Sequence, residues 1–258
     1  MTVGGTEESA LRKIVMTVEY EGTRYYGFQA QKELPTVQEE LERSFYTVTG
    51  EQSRLIAASR TDAGVHAKGQ AVAFRSRSKL STQSFVAALN YYLPLDIAVV
   101  AAHQIDVDFD VRRDAKSREY RYTMLNRQAR SPFKSRFACL VRPPLDAKVM
   151  SEAAHVLVGE HDFAPFSGLL EGGKKGTVRV VYKAEVERRG DRLFFDMVAD
   201  SFLPHQVRKT IGCLMEVGKG KMAVEEFWQL AQSKQHGVAG PTAPALGLCL
   251  MKVNYDHL

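Results

Sequence analysis

Residues 58–67 read Ala-Ser-Arg-Thr-Asp-Ala-Gly-Val-His-Ala and place chargeable side chains among small neighbours. Arg60, Asp62 and His66 can carry charge or exchange a proton, which are the capacities that an active-site loop needs. The small neighbours and Gly64 would allow a ligand to approach the backbone closely. Asp and Gly are also common in surface turns, where Asp62 would cap the turn and pair with Arg60. The residue types alone leave both interpretations open.

A basic stretch interleaved with aromatic residues occupies residues 112–142. It contains ten Lys and Arg residues but only two acidic ones, together with Tyr120, Tyr122, Phe133 and Phe137. Cations hold phosphates and aromatic faces stack on bases, so the mixture favours RNA over a membrane surface as the partner. In the alternative, the tyrosines fill a core and the cations form a solvated face.

His205 and Arg208 lie at the start of a predicted helix that follows Phe202 and Leu203. The positive end of the helix dipole lies at the start of a helix, so an Arg there is favoured only when it meets an anion. A protein carboxylate and a ligand phosphate would both serve as that anion. The simpler alternative is a surface Arg on an amphipathic helix, and it also remains open.

Composition limits the class of protein. The 258 residues carry a formal net charge of +5, which suits a polyanionic partner without requiring one. Cys139, Cys213 and Cys249 lie far apart, so we expect a reducing, cytoplasmic setting with neither a disulfide framework nor a zinc site. Because no apolar run approaches the ~20 residues of a membrane span, we expect no membrane contact.

Sequence patterns for metal and nucleotide cofactors are missing or incomplete. The patterns HExxH, GxSxG and GxGxxG do not occur, and the seven His are scattered. Residues 168–174 have the spacing of a phosphate-binding loop, but Lys175 stands where Ser or Thr would hold magnesium. We interpret that segment as a flexible basic loop, and we expect neither a metal nor a nucleotide cofactor.

Hydrophobic periodicity predicts the elements that position these residues. We expect helices that open at Thr36 with a capping box to Glu39, at Ser81, at Asp146 and over residues 203–217. Alternating patterns predict strands over residues 14–20, 70–74, 97–105, 117–125, 178–187, 192–199 and 246–255. Strand–helix–strand order in each half predicts an α+β fold. We expect a disordered tail over residues 1–10 and two related halves, residues 11–106 and 107–258.

Seven sequence blocks, taken in order, resemble the TruA family of tRNA pseudouridine synthases. They include the block Arg-Thr-Asp-Ala-Gly-Val-His-Ala at residues 60–67 and the block Arg-x-Tyr-x-Tyr at residues 118–122. The others lie at residues 20–31, 36–38, 161–163, 202–208 and 239–244. Seven blocks at fitting separations are far more specific than any one of them, and they span nearly the whole chain.

The resemblance implies a fold, a partner and a set of site residues. It implies two α/β-sandwich halves whose mainly antiparallel sheets join into one extended sheet, with a basic active-site cleft between them and assembly as a homodimer. Asp62 would be the catalytic aspartate, Tyr120 the active-site tyrosine and Arg208 the cation that pairs with the carboxylate. Arg60 would help to extrude and replace the target base. His66, Arg118 and His205 lie in the same blocks and are expected to contact the substrate.

The implied reaction is isomerisation of uridine to pseudouridine at positions 38, 39 and 40 of the anticodon stem-loop of tRNA. It breaks the bond from uracil N1 to the ribose and joins C5 to the same carbon, so no cofactor is required. An ionised carboxylate can act as nucleophile or base, and a nearby Arg opposes its protonation. The stacked nucleotide must first be flipped out. Tyr120 would stack on the uracil or assist removal of the C5 proton.

Several positions depart from the family pattern without touching the residues assigned to chemistry. Phe28 stands where Trp is frequent, Ser59 where Gly is frequent and Asp110 where His is frequent, while Ala199 and Ser201 lie in a stretch usually richer in Gly.

Two rival functions remain. A methyltransferase acting on tRNA uridine would need a Gly-rich methyl-donor motif after a strand, and the sequence has none. A tRNA-binding module without catalysis would keep the cations and aromatics but would have no need of Asp62.

Overall fold

The computed structural model describes residues 10–168 and 176–256. The predicted tail at residues 1–10 and the predicted basic loop at residues 168–174 lie outside this part of the chain, apart from residues 10 and 168. No helix in the described ranges is long and apolar enough to cross a membrane.

Ten strands form one sheet in the described part of the chain. They are β1 (Arg12–Tyr20), β2 (Ile56–Ala57), β3 (His66–Ser76), β4 (Ile97–Ile105), β5 (Ser117–Asn126), β6 (Cys139–Val141), β7 (Gly159–Asp162), β8 (Val178–Arg189), β9 (Arg192–Ala199) and β10 (Leu248–Asn254). The main path runs β4-β1-β3-β10-β5-β9-β8-β7, while β2 pairs with β3 and β6 pairs with β5. Only the pairs β10–β3 and β5–β6 are parallel among these strands. The expected α+β fold with one extended, mainly antiparallel sheet is confirmed.

Five helices accompany the sheet in the described residues: α1 (Val37–Thr49), α2 (Thr82–Tyr92), α3 (Ala147–His155), α4 (Gln206–Gly218) and α5 (Val224–Gln232). Thr36 is the N-cap of α1, as predicted, since its Oγ1 accepts from the Glu39 amide. The Glu39 carboxylate accepts from the Thr36 hydroxyl instead of the Thr36 amide, so the second contact of the predicted capping box differs. Helix α1 ends at Gly50, whose φ of 72° is left-handed. Ser81 and Asp146 accept from backbone amides as the N-caps of α2 and α3, as predicted.

Aromatic clusters fill the space between helices and sheet in both halves. Phe74 of β3 packs against Phe45 of α1 and Phe85 of α2, with ring centroids 4.9 and 5.5 Å apart. Phe166 packs similarly against Phe227 of α5, with ring centroids 5.8 Å apart. All five rings are buried. Each buried Phe stabilises the fold by about 1.5–3 kcal/mol, so these clusters hold the helices firmly to the sheet.

The last strand of the chain joins the two halves of the sheet. Leu250 of β10 pairs with Ala67 of β3 on one side and with Tyr120 of β5 on the other. This register brings the start of β3 next to the middle of β5, although the two are far apart in sequence. The loop that ends where β3 begins therefore lies beside Tyr120. The division of the chain between residues 106 and 107 stays a prediction.

Some predicted bounds were wrong. The strand predicted over residues 70–74 covers His66–Ser76, so His66 lies in a strand rather than in the loop. The helix predicted from residue 203 begins at Gln206, because His205 has a left-handed φ of 61° that no α-helix continues. The final strand begins at Leu248, because a 3-10 turn at Ala245–Gly247 precedes it.

Four elements were not predicted: β2, β6, β7 and α5. The three strands have two to four residues, which is too short for an alternating pattern to be recognised. Helix α5 carried a readable signal, because Val224, Phe227 and Leu230 recur at helical spacing and Glu225 and Glu226 lie in its first turn.

Candidate active site

The loop that carries Asp62 is fixed to the chain segment at residues 20–28. Phe28 donates its amide to the Thr61 carbonyl at 3.2 Å, and the Thr61 hydroxyl lies 2.8 Å from the Tyr20 hydroxyl. Gly27 makes this approach possible, because a Cβ at that position would lie 2.5 Å from the Thr61 oxygen and its φ is +92°. These contacts therefore hold the loop, and Asp62 with it, in a defined position.

Gln70 fixes Ser59, which lies three residues before Asp62. Its side chain accepts from the Ser59 amide at 3.2 Å and donates to the Ser59 carbonyl at 2.7 Å. Gln70 is fully buried on β3, so both contacts are partly shielded from water. A second tie closes the turn itself, because Val65 donates its amide to the Asp62 carbonyl at 3.1 Å.

Arg208 on α4 meets the Asp62 carboxylate. Arg208 Nη1 donates to Asp62 Oδ2 at 2.9 Å, and Arg208 Nε donates to the Ala243 carbonyl at 2.8 Å. The Ala243 amide in turn donates to the Arg208 carbonyl at 3.0 Å. The side chains are 17% exposed for Arg208 and 29% exposed for Asp62. The guanidinium is thus held on one side by the backbone and presents its other side to the carboxylate.

The segment at residues 239–244 lies directly on α4 and supplies that backbone contact. Gly212 permits the close packing, because a Cβ there would lie 1.7 Å from the Pro241 oxygen. The Gly240 amide also contacts Cys213 Sγ at 3.0 Å. These contacts explain how a segment near the end of the chain orients an arginine on a helix.

Tyr120 lies beside the loop with its hydroxyl on Ser59. The Tyr120 and Ser59 hydroxyl oxygens are 3.0 Å apart, and the ring packs edge-on against Phe202 at 5.1 Å. Only 6% of Tyr120 is exposed. Burial raises the pKa of Tyr120 to about 12; the Ser59 hydrogen bond opposes the rise and the negative charge of Asp62 adds to it. Tyr120 therefore presents a neutral hydroxyl near Asp62 at ordinary pH.

His205 is the second side chain, after Arg208, that lies close to Asp62 Oδ2. Its Nε2 lies 3.6 Å from Asp62 Oδ2, a contact that becomes an ion pair when the imidazole is protonated. A left-handed φ at a residue other than Gly, Asn or Asp costs roughly 1–3 kcal/mol, and such strain concentrates at functional sites. The side chain is 45% exposed, so it also faces the space in front of Asp62.

His66 and Arg118 are buried and do not reach the open space in front of Asp62; their expected role as substrate contacts stays a prediction that this burial does not support. His66 is buried, with Nδ1 accepting from the Gly22 amide and Nε2 placed 3.2 Å from the Leu246 carbonyl. Burial lowers the pKa of His66, which favours the neutral ring that these contacts require. Both residues act inside the fold.

The guanidinium of Arg118 is used up by backbone carbonyls. Nη1 donates to Ala115 and Asp200, while Nη2 donates to Ala58 at 3.4 Å and to Arg112 at 2.7 Å. These contacts tie β5 to the segment before Asp62 and occupy both terminal nitrogens. Arg118 is also only 8% exposed, so neither terminal nitrogen is available to a phosphate.

Arg60 is exposed and lines a cavity next to the loop. Among the described residues it makes no ion pair, in contrast to Arg208. Its place is consistent with the expected contact to an extruded nucleotide, which stays a prediction.

Several cations of the basic stretch at residues 112–142 form ion pairs within the protein, which its composition did not indicate. Arg121 makes a two-pronged contact with Asp196 of β9, and Arg127 and Lys134 both contact Asp191. Folding brings these acids from other parts of the chain, so a count of local charges could not include them. Within residues 10–168 and 176–256, the cations of the stretch outside the ion pairs are Arg112, Arg118, Arg130, Arg136 and Arg142.

A family model described as tRNA pseudouridine synthase matches residues 16–114 and 153–256 of this chain. The chain belongs to this family. The family model includes the Asp62 loop in its first part and α4 with Arg208 in its second, so both partners of the central ion pair lie in matched segments.

Individual tRNA pseudouridine synthases are similar along nearly the whole chain. One called tRNA pseudouridine synthase A from Thermoanaerobacter sp. (strain X514) is 39% identical over 245 residues, covering 95% of this chain and all of the relative. Proteins of the same name from Moorella thermoacetica and Myxococcus xanthus are each 40% identical, over 93% and 94% of this chain and 98% and 92% of their own. The resemblance to the TruA family is confirmed, and the chain is an isomerase of that family.

A solved Cbf5-Nop10-Gar1 complex aligns at 16% identity with a TM-score of 0.35, covering 78% of this chain and 45% of the solved one. A likeness of that size supports no statement about function.

For a tRNA pseudouridine synthase, the geometry supplies an ionisable carboxylate, a cation that orients it and a hydroxyl beside it. Sequence reasoning missed three residues that complete this arrangement: Ser59, Gln70 and Ala243. Ser59 stood out only as a departure from the family pattern. Gln70 and Ala243 act through an amide side chain and a backbone carbonyl, and neither gives a chemical signal in a sequence.

Proposed function

We propose that this enzyme isomerises uridine to pseudouridine in the anticodon stem-loop of tRNA, at positions 38, 39 and 40, with Asp62 as the catalytic carboxylate. The observation that carries the proposal is the contact of 2.9 Å between Arg208 and Asp62, in a pair that is shielded yet still open on one side. The names of the relatives support tRNA as the substrate, and the three positions come from the family resemblance.

Arg208 leaves Asp62 with one oxygen held and one available. Oδ2 accepts from Arg208 Nη1, whereas Oδ1 has no hydrogen-bond donor among the described residues. A carboxylate that is oriented in this way keeps a lone pair of Oδ1 for the substrate, and the shielding strengthens its electrostatic effect. In this state the carboxylate can attack the base, attack the sugar or remove a ribose proton.

The reaction leaves the composition of the nucleotide unchanged. The bond from N1 to the anomeric carbon breaks, the uracil turns, and a bond from C5 to the same carbon forms. A proton leaves C5 and N1 gains one, so no electron donor or acceptor takes part. We infer that the Tyr120 hydroxyl, which stays neutral and lies 3.0 Å from Ser59, assists the proton transfer from C5.

The target nucleotide must leave its stack before Asp62 can reach it. Unstacking costs a few kcal/mol, and side chains that enter the helix or grip the backbone offset this cost. We assign extrusion of the base to Arg60 and contact with the flipped nucleotide to His205, whose side chain is exposed in front of Asp62. We also expect a cytoplasmic homodimer without a nucleotide cofactor, as the family resemblance implies.

The test uses unmodified tRNA and reads the product at single-nucleotide resolution. Incubation with the enzyme should leave the mass of the tRNA unchanged and should create sites at positions 38–40 that react with pseudouridine-specific reagents. A gain of mass would point instead to methylation. Stable binding of tRNA without any conversion would point to a binding module and contradict the proposal.

A further inference from the structure

A cavity of about 300 Å³ next to the Asp62 loop is surrounded by three arginines. Arg54, Arg60 and Arg112 line it together with the apolar side chains of Phe28 and Leu55. Arg54 precedes β2, Arg60 follows it, and Arg112 comes from the segment before β5. The fold therefore brings three cations from separate positions to one opening. We call this the three-arginine pocket.

The three arginines lie outside the ion pairs of the described residues. None of the ion pairs within residues 10–168 and 176–256 includes Arg54, Arg60 or Arg112. Arg112 Nε donates to the Ala57 carbonyl at 2.9 Å, which fixes this guanidinium on the pocket wall. Burial lowers the pKa of Arg112, and the charge of Arg60 lowers it further, so the cations repel one another across the pocket.

The acidic groups near the pocket are occupied elsewhere. Glu42 accepts from the Gln38 side chain at 2.8 Å and from the Leu55 amide at 2.9 Å, behind the pocket wall. Asp110 accepts from the backbone amides of Arg112 and Arg113. An anion from outside the protein is therefore the partner that would relieve the repulsion.

We propose that the three-arginine pocket binds a phosphodiester group of the RNA backbone, at the flipped nucleotide or next to it. The inference rests on the proposed function and adds a site to it. Arg60 lies two residues before Asp62, at most ~7 Å along an extended chain, so a phosphate held by Arg60 is close to the reacting base. Planar guanidinium groups match the oxygens of phosphate, and three of them surround one group.

The pocket would act on binding more than on the chemical step. A phosphate grip forms when the RNA binds and persists through the reaction, so it lowers KM without raising kcat. Neither Arg54 nor Arg112 lies in the seven blocks that carry the family resemblance. Both arginines lie within residues 16–114, which the family model matches, so the pocket extends the site beyond those blocks to two further arginines.

Arg54→Gln is the suitable variant, because Arg54 is exposed and its removal should not disturb folding. Arg43→Gln removes the same charge from an exposed position outside the pocket and serves as the control. We expect Arg54→Gln to raise the Kd and KM for tRNA about tenfold, the loss expected for a charge-assisted hydrogen bond. Its kcat should stay within about twofold of wild type. The slope of log K against log salt should shrink by about 0.7–0.9, the value of one phosphate contact.

A walk of single methylphosphonates through an RNA stem-loop locates the contact. Each methylphosphonate removes one backbone charge, and binding is measured for both variants and for wild type. We expect one position beside the target uridine where neutralisation weakens binding by wild type more than binding by Arg54→Gln, because only Arg60 and Arg112 still contact the phosphate in the variant. Equal, additive losses at every position would overturn the proposal, as would an Arg54→Gln variant that matches Arg43→Gln.

Titration with inorganic phosphate separates the two possible sources of the ligand. A site for RNA backbone should bind free phosphate only weakly and show no Arg54 dependence at millimolar concentration. Tight, Arg54-dependent binding of free phosphate would contradict the proposal. The Kd, the salt slope, the methylphosphonate series and the phosphate titration report binding and need no turnover. They remain informative even if the wild-type enzyme produces no pseudouridine, a result that would contradict the proposed function alone.

Discussion

Arg208 Nη1 lies 2.9 Å from Asp62 Oδ2, although 146 residues separate the two in the chain. The contact joins the loop before β3 to the first turn of α4, and it crosses the seam where β10 connects the halves of the sheet. A partly shielded ion pair of this kind is costly to break from one side, because the remaining charge loses its partner. The proposed chemistry of Asp62 depends on this pair.

Arg208→Met should lower kcat by about 100-fold or more while changing the Kd for tRNA only a few-fold. The physical reason is that misplacement of a catalytic group by about 1 Å can cost this much. Arg208→Lys keeps the charge, but an ammonium group cannot contact both Asp62 and Ala243 as a planar guanidinium does. The kcat of this variant should therefore lie between those of wild type and Arg208→Met. Steady-state kinetics and equilibrium binding measure both quantities. A Met variant with turnover within threefold of wild type would show that the contact with Arg208 is not needed for the reaction.

Tyr120→Phe tests the hydroxyl apart from the ring. If the hydroxyl assists removal of the C5 proton, the variant should bind tRNA normally and turn over ~10²–10⁴-fold more slowly. Deuterium at C5 should then slow product formation, and a rearranged base that still carries its C5 proton should accumulate. Near-normal turnover by the Phe variant would leave the ring as the functional part and Asp62 or water as the base.

Ser59→Ala extends this test to the partner of the hydroxyl, which lies 3.0 Å away. We expect a smaller loss of kcat than in Tyr120→Phe, and no further loss when the two substitutions are combined. Such coupling is the signature of one shared interaction. Ser59→Thr should restore activity if its methyl group fits. Independent losses in the double variant would show that Ser59 acts through the loop backbone instead.

Stability at high pH should depend on Tyr120. Its pKa is raised to about 12 in the folded chain, whereas an unfolded tyrosine ionises at about 10. The contribution of the neutral Tyr120 to the free energy of unfolding is therefore complete below pH ~10. It is lost as the pH rises towards ~12, at up to about 1.4 kcal/mol per pH unit. Urea unfolding at several alkaline pH values should give a shallower loss for Tyr120→Phe than for wild type. The exposed Tyr91→Phe is the control, and equal slopes in all three proteins would contradict the burial of Tyr120.

Gly212→Ala should lower both stability and kcat. In an ordinary helix this change stabilises by about 1 kcal/mol. Here the new Cβ would lie 1.7 Å from the Pro241 oxygen, so residues 239–244 must move and the Ala243 contact to Arg208 is disturbed. Gly176→Ala is the control for a glycine substitution as such, because a Cβ there would meet no described residue within 4 Å. A Gly212 variant with wild-type melting temperature and kcat would show that the segment does not orient Arg208.

Local sequence patterns correctly predicted the features that depend on residues nearby in the chain, such as helix caps. The caps at Thr36, Ser81 and Asp146 follow from side chains that reach amides within a turn, and they are where the sequence placed them. The start of α4 was misplaced because a left-handed His205 is a tertiary feature. The pairing of Arg208 with Asp62 came from the family resemblance, since residue types alone also allowed a surface arginine.

Burial of polar residues could not be predicted in the same way. His66 and Arg118 have the chemistry of substrate contacts, yet their partners include the Leu246 and Asp200 carbonyls from distant segments. The acids that pair with the basic stretch, Asp191 and Asp196, likewise come from the hairpin of β8 and β9. Such partners are defined by the sheet order, which no local pattern contains.

Asp62→Asn tests the central claim most directly, by measurement of pseudouridine formation and tRNA binding with the same RNA. The substitution keeps the volume of the side chain and an oxygen that can accept from Arg208, but it removes the charge that the reaction needs. Pseudouridine formation should be abolished while the Kd for tRNA stays within a few-fold of wild type. Turnover at a tenth of the wild-type rate or more would contradict Asp62 as the catalytic carboxylate.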